Sequence, residues 1–215
     1  MAKKIQKRAL SVADILRYKP RVLPFDGPWL DSLGTPELSG CWIIWGNSGS
    51  GKTRFALQLC KYLTRFGKVV YNTLEEGLSF SFQKAIVATG MNGVKGFTAL
   101  DKMPVPQLSE KLKAGRGADI IVIDSVQYSG LDKDSAKALV DTFPRRLFIF
   151  ISHAEGNNPQ GRTAAAIRFH ADIKLRVEGY RIPNPISRYK DGKCAPFTIW
   201  EQGAAEYWGE TTKTQ

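Results

Sequence analysis

The stretch Gly40-Cys41-Trp42-Ile43-Ile44-Trp45-Gly46-Asn47-Ser48-Gly49-Ser50-Gly51-Lys52-Thr53 decides how this chain is read. It begins as an unbroken apolar run of strand length, enters a glycine-rich turn and ends in Lys-Thr. The following Arg54-Phe55-Ala56-Leu57-Gln58-Leu59 has helical character. A strand feeding a helix through such a turn aims backbone N–H groups and a helix N-terminus at one spot, as a polyphosphate requires. Gly46, Gly49 and Gly51 let the backbone wrap, with Asn47, Ser48 and Ser50 between them. Lys52 is placed to reach the β and γ phosphates, Thr53 to complete the coordination of Mg²⁺, and Arg54 to open the helix beside them. The expected ligands are ATP and Mg²⁺.

Outward from this stretch, strand-length apolar runs recur at Cys41 to Trp45, Val69 to Tyr71, Ile120 to Ile123 and Leu147 to Ile151. They lack polar alternation, as strands covered on both faces do. Helix-like segments lie between or after them at 52–66, 78–89, 105–114 and 134–143. This alternation predicts an α/β fold: a mostly parallel sheet flanked by helices. Asp172 to Val177 and Pro196 to Trp200 are expected as antiparallel C-terminal strands at the sheet edge.

The 215 residues suffice for one domain with a sizeable core, and 43% apolar content argues against wholesale disorder. Residues 1–21 are expected as a mobile basic arm, with Lys3, Lys4, Lys7, Arg8, Arg17, Lys19 and Arg21 against the single acid Asp14. Residues 22–215 form the domain, entered by an irregular Pro- and Gly-rich lead-in from Pro20 to Gly40 before the core starts. Against 31 Lys and Arg stand 20 Asp and Glu, a formal charge of +11, which favours a polyanionic partner such as nucleic acid. Cys41, Cys60 and Cys194 have no C-x-x-C spacing, and reduced thiols and a cytoplasmic setting are expected. No apolar run reaches the length of a membrane span, so no membrane partner is expected.

A phosphate loop needs a second component, a strand ending in an acid that holds Mg²⁺ directly or through water. Ile120-Ile121-Val122-Ile123-Asp124-Ser125 fits, with Asp124 as that acid.

From about Gly40 to Val177 the chain resembles the RecA-like ATPase core, the group of RecA, the repair protein RadA and the DnaB-type helicases. Val69-Val70-Tyr71-Asn72-Thr73-Leu74-Glu75-Glu76-Gly77 is similar to the family's second core strand and the glutamate ending it, which polarises the attacking water. Glu75 aligns with that role, and Glu76 takes it if the register slips by one. Leu147-Phe148-Ile149-Phe150-Ile151-Ser152-His153 resembles the strand carrying the γ-phosphate sensor, which makes His153 that sensor. The resemblance places loops 127–133 and 154–163, the second with Arg162, toward DNA. In Lys174-Leu175-Arg176 it matches the Lys-x-Arg spacing of the cations that DnaB-type motors project into a neighbour's ATP site, with Arg181 in reserve.

The resemblance implies a RecA-like P-loop ATPase of the core-only kind found among phage-type recombination and replication proteins, in a bacterial or phage-infected cytoplasm. It would hydrolyse ATP as a homo-oligomeric ring or filament with ATP between subunits, on DNA and above all single-stranded DNA. The late basic residues Arg181, Arg188, Lys190 and Lys193, with Trp200, Tyr207 and Trp208, would add DNA or subunit contacts, although these aromatics suit a core equally well. Two other readings share the phosphate loop: a small-molecule kinase, and a regulator that uses ATP only to switch its assembly state.

Overall fold

The computed structural model describes residues 9–115 and 117–210. Their helices are α1 (Val12–Leu16), α2 (Gly27–Leu33), α3 (Lys52–Leu63), α4 (Phe80–Ala88), α5 (Val105–Lys113), α6 (Lys133–Thr142), α7 (Gly161–His170) and α8 (Glu201–Trp208). The strands are β1 (Gly40–Gly46), β2 (Val69–Thr73), β3 (Phe97–Asp101), β4 (Ile120–Asp124), β5 (Leu147–Glu155), β6 (Asn158–Pro159), β7 (Ile173–Arg176), β8 (Arg181–Ile182), β9 (Ile186–Ser187) and β10 (Phe197–Thr198).

The main sheet runs β3-β2-β4-β5-β1-β7-β9. Its first six strands are parallel, and β9 closes the edge antiparallel to β7. The apolar runs serve both faces because strand side chains alternate. Trp42 and Ile44 of β1 pack toward α3, whereas Cys41, Ile43 and Trp45 join the core under α5, α6 and α7. Trp42, Ile43 and Ile44 are fully buried. This two-sided covering explains the missing polar alternation.

The predicted strands and helices all form, α3 ending at Leu63, short of the expected Phe66. Strand β3 was not expected. Its sequence Phe97-Thr98-Ala99-Leu100-Asp101 buries only Leu100, since an edge strand has a neighbour on one side alone. The C-terminal assignment needs correction in two respects. β7 pairs parallel to β1, with Trp42 opposite Ile173, so it extends the parallel sheet. β10 pairs antiparallel with β8 in a separate two-stranded ribbon.

The lead-in is also more structured than its prolines and glycines suggest. Leu23, Phe25, Leu33 and Leu38 belong to the main core, and α2 has Pro28 in its first turn, where a missing N–H costs no helical bond. Asp26 accepts from the Tyr62 hydroxyl at 2.9 Å and from Arg65 at 2.8 and 3.1 Å, which fastens the lead-in to α3. The described part of the expected basic arm carries local structure. Residues 12–16 form a helix with a Ser11/Asp14 capping box, and Arg21 binds Asp119 at 3.1 Å and the carbonyl of Phe66. Residues 1–8 of that arm lie outside the described residues. Cys41, Cys60 and Cys194 are free and buried, and burial pushes the Cys41 thiol up to about 12.

Candidate functional site

Parallel strands that end level with one another gather their following loops along one edge, the usual place for a ligand in an open α/β sheet. In the register here Gly46 stands opposite His153, and Asp124 opposite both Thr73 and Ile151. The chain therefore leaves β1, β2, β4 and β5 toward a single cleft of about 690 Å³. Its lining includes Lys52, Thr53, Glu75, Asp124, His153 and Tyr180.

The turn 46–51 is built for close approach. Gly51 has φ +102°, and a Cβ there would lie 2.7 Å from the Tyr180 ring; one on Gly46 would lie 2.3 Å from the carbonyl oxygen of Val177. Lys52 donates to the carbonyl of Asn47 at 2.8 Å, so its ammonium is folded back over the loop. Burial lowers its pKa, opposed by the charges of Asp124 and Glu75. Ser50 Oγ and Arg54 Nε are buried with no hydrogen-bond partner among the described residues. Orphan polar atoms and an ammonium satisfied, among the described residues, only by its own loop fit an anionic ligand at this place.

Asp124 accepts from the hydroxyl of buried Tyr71. Burial raises its carboxyl to about 6, the Tyr71 bond opposing this and Glu75 adding to it. A carboxylate held in this way gains from a nearby cation, and Thr53 shares its cleft. The pair fits a Mg²⁺ whose other ligands are phosphate and water. The peptide bond from Asp124 to Ser125 is cis, and both Leu74 N and Glu75 N donate to the Asp124 carbonyl.

Glu75 and Glu76 diverge. Glu75 Oε2 meets His153 Nε2 at 2.8 Å and accepts from the Ser125 hydroxyl at 3.0 Å. Glu76 Oε1 accepts from Ser79 at 2.8 Å and from Ser81, hydroxyls at the start of α4, where an acid complements the helix dipole. Both carboxylates line the cleft, but only Glu75 is tied to the strand ends carrying Asp124 and His153.

Lys174 and Arg176 are half-buried on β7. Arg176 pairs with Glu178 at 3.0 Å and lines a second cavity of about 280 Å³ with Gly46 to Ser50 and Tyr207. The fold thus keeps Lys174 and Arg176 out of the lining of the chain's own main cleft. Arg181 is bound by both guanidinium nitrogens to Glu210, at 2.6 Å for the first.

Sequence reasoning missed several participants. Tyr180 has φ 57° and donates its N–H to the Ser50 carbonyl, and its ring meets Trp200 edge to face at 5.1 Å. Arg54 lies 4.4 Å over the Trp200 ring. This cationic and aromatic group stands beside the phosphate loop; Arg54 and Trp200 were named from the sequence, but Tyr180 was not. Ser125 and Tyr71 were also overlooked, being ordinary residues until the fold sets them against carboxylates.

The segment 154–163, expected as a loop, is a β5–β6 hairpin running into α7. Trp45 Nε1 donates to Asn157 O at 3.1 Å, Arg168 to Asn158 Oδ1 at 2.9 Å, and Gln160 N to His153 O at 2.9 Å. Loop 127–133 touches it. Gln127 donates to Gln160 O at 2.9 Å and Thr163 to Leu131 O at 3.2 Å.

The sheet order, its flanking helices and the gathering of the phosphate loop with Glu75, Asp124 and His153 define the class: this is a RecA-like α/β fold. Among solved structures with it is the flagellar accessory protein FlaH from Methanocaldococcus jannaschii. It matches with a TM-score of 0.53 and 16% identity over 74% of this chain and 80% of that one. No protein-family profile and no curated protein matches the chain.

Proposed function

We propose that this chain binds ATP with Mg²⁺ in the main cleft and hydrolyses it, acting as a homo-oligomer on nucleic acid in recombination, repair or replication. The observation that carries the reading is the convergence of Lys52, Thr53, Glu75, Asp124 and His153 on one cleft from four separate strand ends. The loop amides and Lys52 hold the phosphates. Thr53 and Asp124 hold the metal, which would neutralise charge on the phosphate oxygens. Glu75 orients a water in line with the terminal phosphate and accepts its proton, and His153 holds Glu75 from the other side. Arg54 and Tyr180 line the same cleft and would border the nucleotide.

Nucleic acid is supported by the charge of +11 and by the joining of loops 127–133 and 154–163, which carry Lys133, Arg162 and the 59% exposed Tyr128. Lys174 and Arg176 stand outside the lining of the chain's own main cleft, as cations serving a neighbour's site would. No helix among the described residues is long and apolar enough to cross a membrane. A cytoplasmic site of action belongs to this proposal.

The test is ATP hydrolysis with and without single-stranded DNA across a salt series. The reading predicts hydrolysis that DNA stimulates, with DNA affinity falling steeply as salt rises. Hydrolysis with neither DNA stimulation nor salt-sensitive binding removes the nucleic-acid part. Phosphate transfer to a small acceptor establishes a kinase, and ATP-dependent assembly without turnover a switch.

A further inference from the structure

Gln127 stands three residues after the metal-side acid, exposed at the surface, and nothing in the proposed chemistry requires it. Yet its amide is fully engaged across a junction of three segments. Its Nε2 donates to Ser152 Oγ at 2.9 Å and to Gln160 O at 2.9 Å, while its Oε1 accepts from His153 N at 3.3 Å. Ser152 is buried, and its hydroxyl donates in turn to His153 O at 2.9 Å. A carboxamide is the side chain that can donate twice and accept once from a single planar head, and Glu or Leu of similar length cannot.

The bonds grip the backbone on both sides of His153 where β5 leaves the parallel sheet. The last parallel partner of β5 on the β4 side is Ile151 opposite Asp124; beyond it β5 has only the short antiparallel pairing with β6, Ala154 opposite Pro159, and the bond from Gln160 N to His153 O at 2.9 Å among the described residues. On the β1 side the pairing ends with Gly46 opposite His153. Gln127 takes over where the β4 ladder stops, fixing the strand end from which His153 reaches Glu75 Oε2 at 2.8 Å. The same head also holds Gln160 at the foot of the β5–β6 hairpin.

We propose that Gln127 is a positioning residue for the hydrolytic site. It holds the His153 strand end so that the imidazole meets Glu75, and it ties that geometry to the hairpin. The proposal rests on the ATPase reading for its kinetic consequence, but its structural consequence stands alone. A displaced His153 leaves Glu75 with Ser125 alone among the partners seen here, and errors of an ångström at a reacting group cost rate far more than binding.

The experiment compares wild type with Gln127→Ala and with Gln127→Glu, which keeps length and acceptor but loses both donors. Three readouts are taken: affinity for a fluorescent ATP analogue, kcat for ATP, and amide hydrogen exchange over 152–160 without nucleotide. Both variants are expected to hold analogue affinity within about twofold and to lose about ten- to a hundredfold in kcat. Exchange at His153 and Gln160 should rise about tenfold or more, with the β4 core unchanged. Unchanged exchange at these amides, or unchanged kcat despite faster exchange, overturns the proposal. A general rise of exchange in β4 also overturns it, since Gln127 would then serve global stability. If wild type hydrolyses no nucleotide, the ATPase reading fails, and the exchange result still decides whether Gln127 clamps the strand end.

Discussion

At the scale of single residues, the phosphate loop was legible because its chemistry is local. Backbone wrapping, a lysine and a hydroxyl follow one another within eight residues, and the flanking strand and helix are continuous with them. The choice between Glu75 and Glu76 was not legible, since adjacent acids differ only in where the backbone points them. The structure separates them by partners: His153 and Ser125 for one, the hydroxyls at the start of α4 for the other. Tyr180 was invisible for a related reason. Its place depends on a left-handed backbone that sets its ring against Gly51. This contact makes Gly51→Ala a direct probe. Alanine at φ +102° is strained and meets the ring at 2.7 Å, so the loop must distort. The variant should bind an ATP analogue at least about tenfold more weakly, a loss on the order of 1.4 kcal/mol, while circular dichroism stays that of the wild type. Unchanged affinity in a titration would show that the loop tolerates the added methyl.

At the scale of elements, two-sided burial was the signal that worked. β1, β2, β4 and β5 read as apolar runs because helices cover both faces, and β3 escaped because an edge strand buries one residue in five. The direction of β7 was misjudged since a strand's sequence carries no mark of the orientation of its neighbour. In the lead-in, prolines and glycines suggested irregularity, but Leu23 and Phe25 are buried beneath them. Irregular backbone and core membership are independent properties. Leu23 is 1% exposed, so Leu23→Ala should cost about 2–5 kcal/mol if the lead-in belongs to the folding unit. Thermal unfolding should then shift down by roughly 2–4 °C for each kcal/mol lost. A melting temperature equal to that of the wild type would mean that the lead-in is an appendage.

At the scale of the whole molecule, the parallel sheet converts residues far apart in sequence into neighbours. Glu75, Asp124 and His153 lie on three different strand ends, and their meeting with Lys52 and Thr53 depends on the order β2-β4-β5-β1. The sequence carried the ends of those strands but not their side-by-side order, since a strand's own residues bear no mark of which strand lies beside it. Arg176 and Lys174 lie one strand beyond, on the far side of β1 from Glu75. In the proposed function, the phosphate and metal ligands and the water-orienting acid would then all come from one chain. The proposed hydrolysis would therefore depend on Glu75 more than on any other side chain of the cleft. Single-turnover hydrolysis of ATP by wild type, Glu75→Gln and Glu76→Gln, with nucleotide binding measured in parallel, is the most direct test. The account predicts that Glu75→Gln binds ATP as tightly as wild type and cleaves it about 10²- to 10⁴-fold more slowly, with Glu76→Gln close to wild type. Normal cleavage by Glu75→Gln would contradict it.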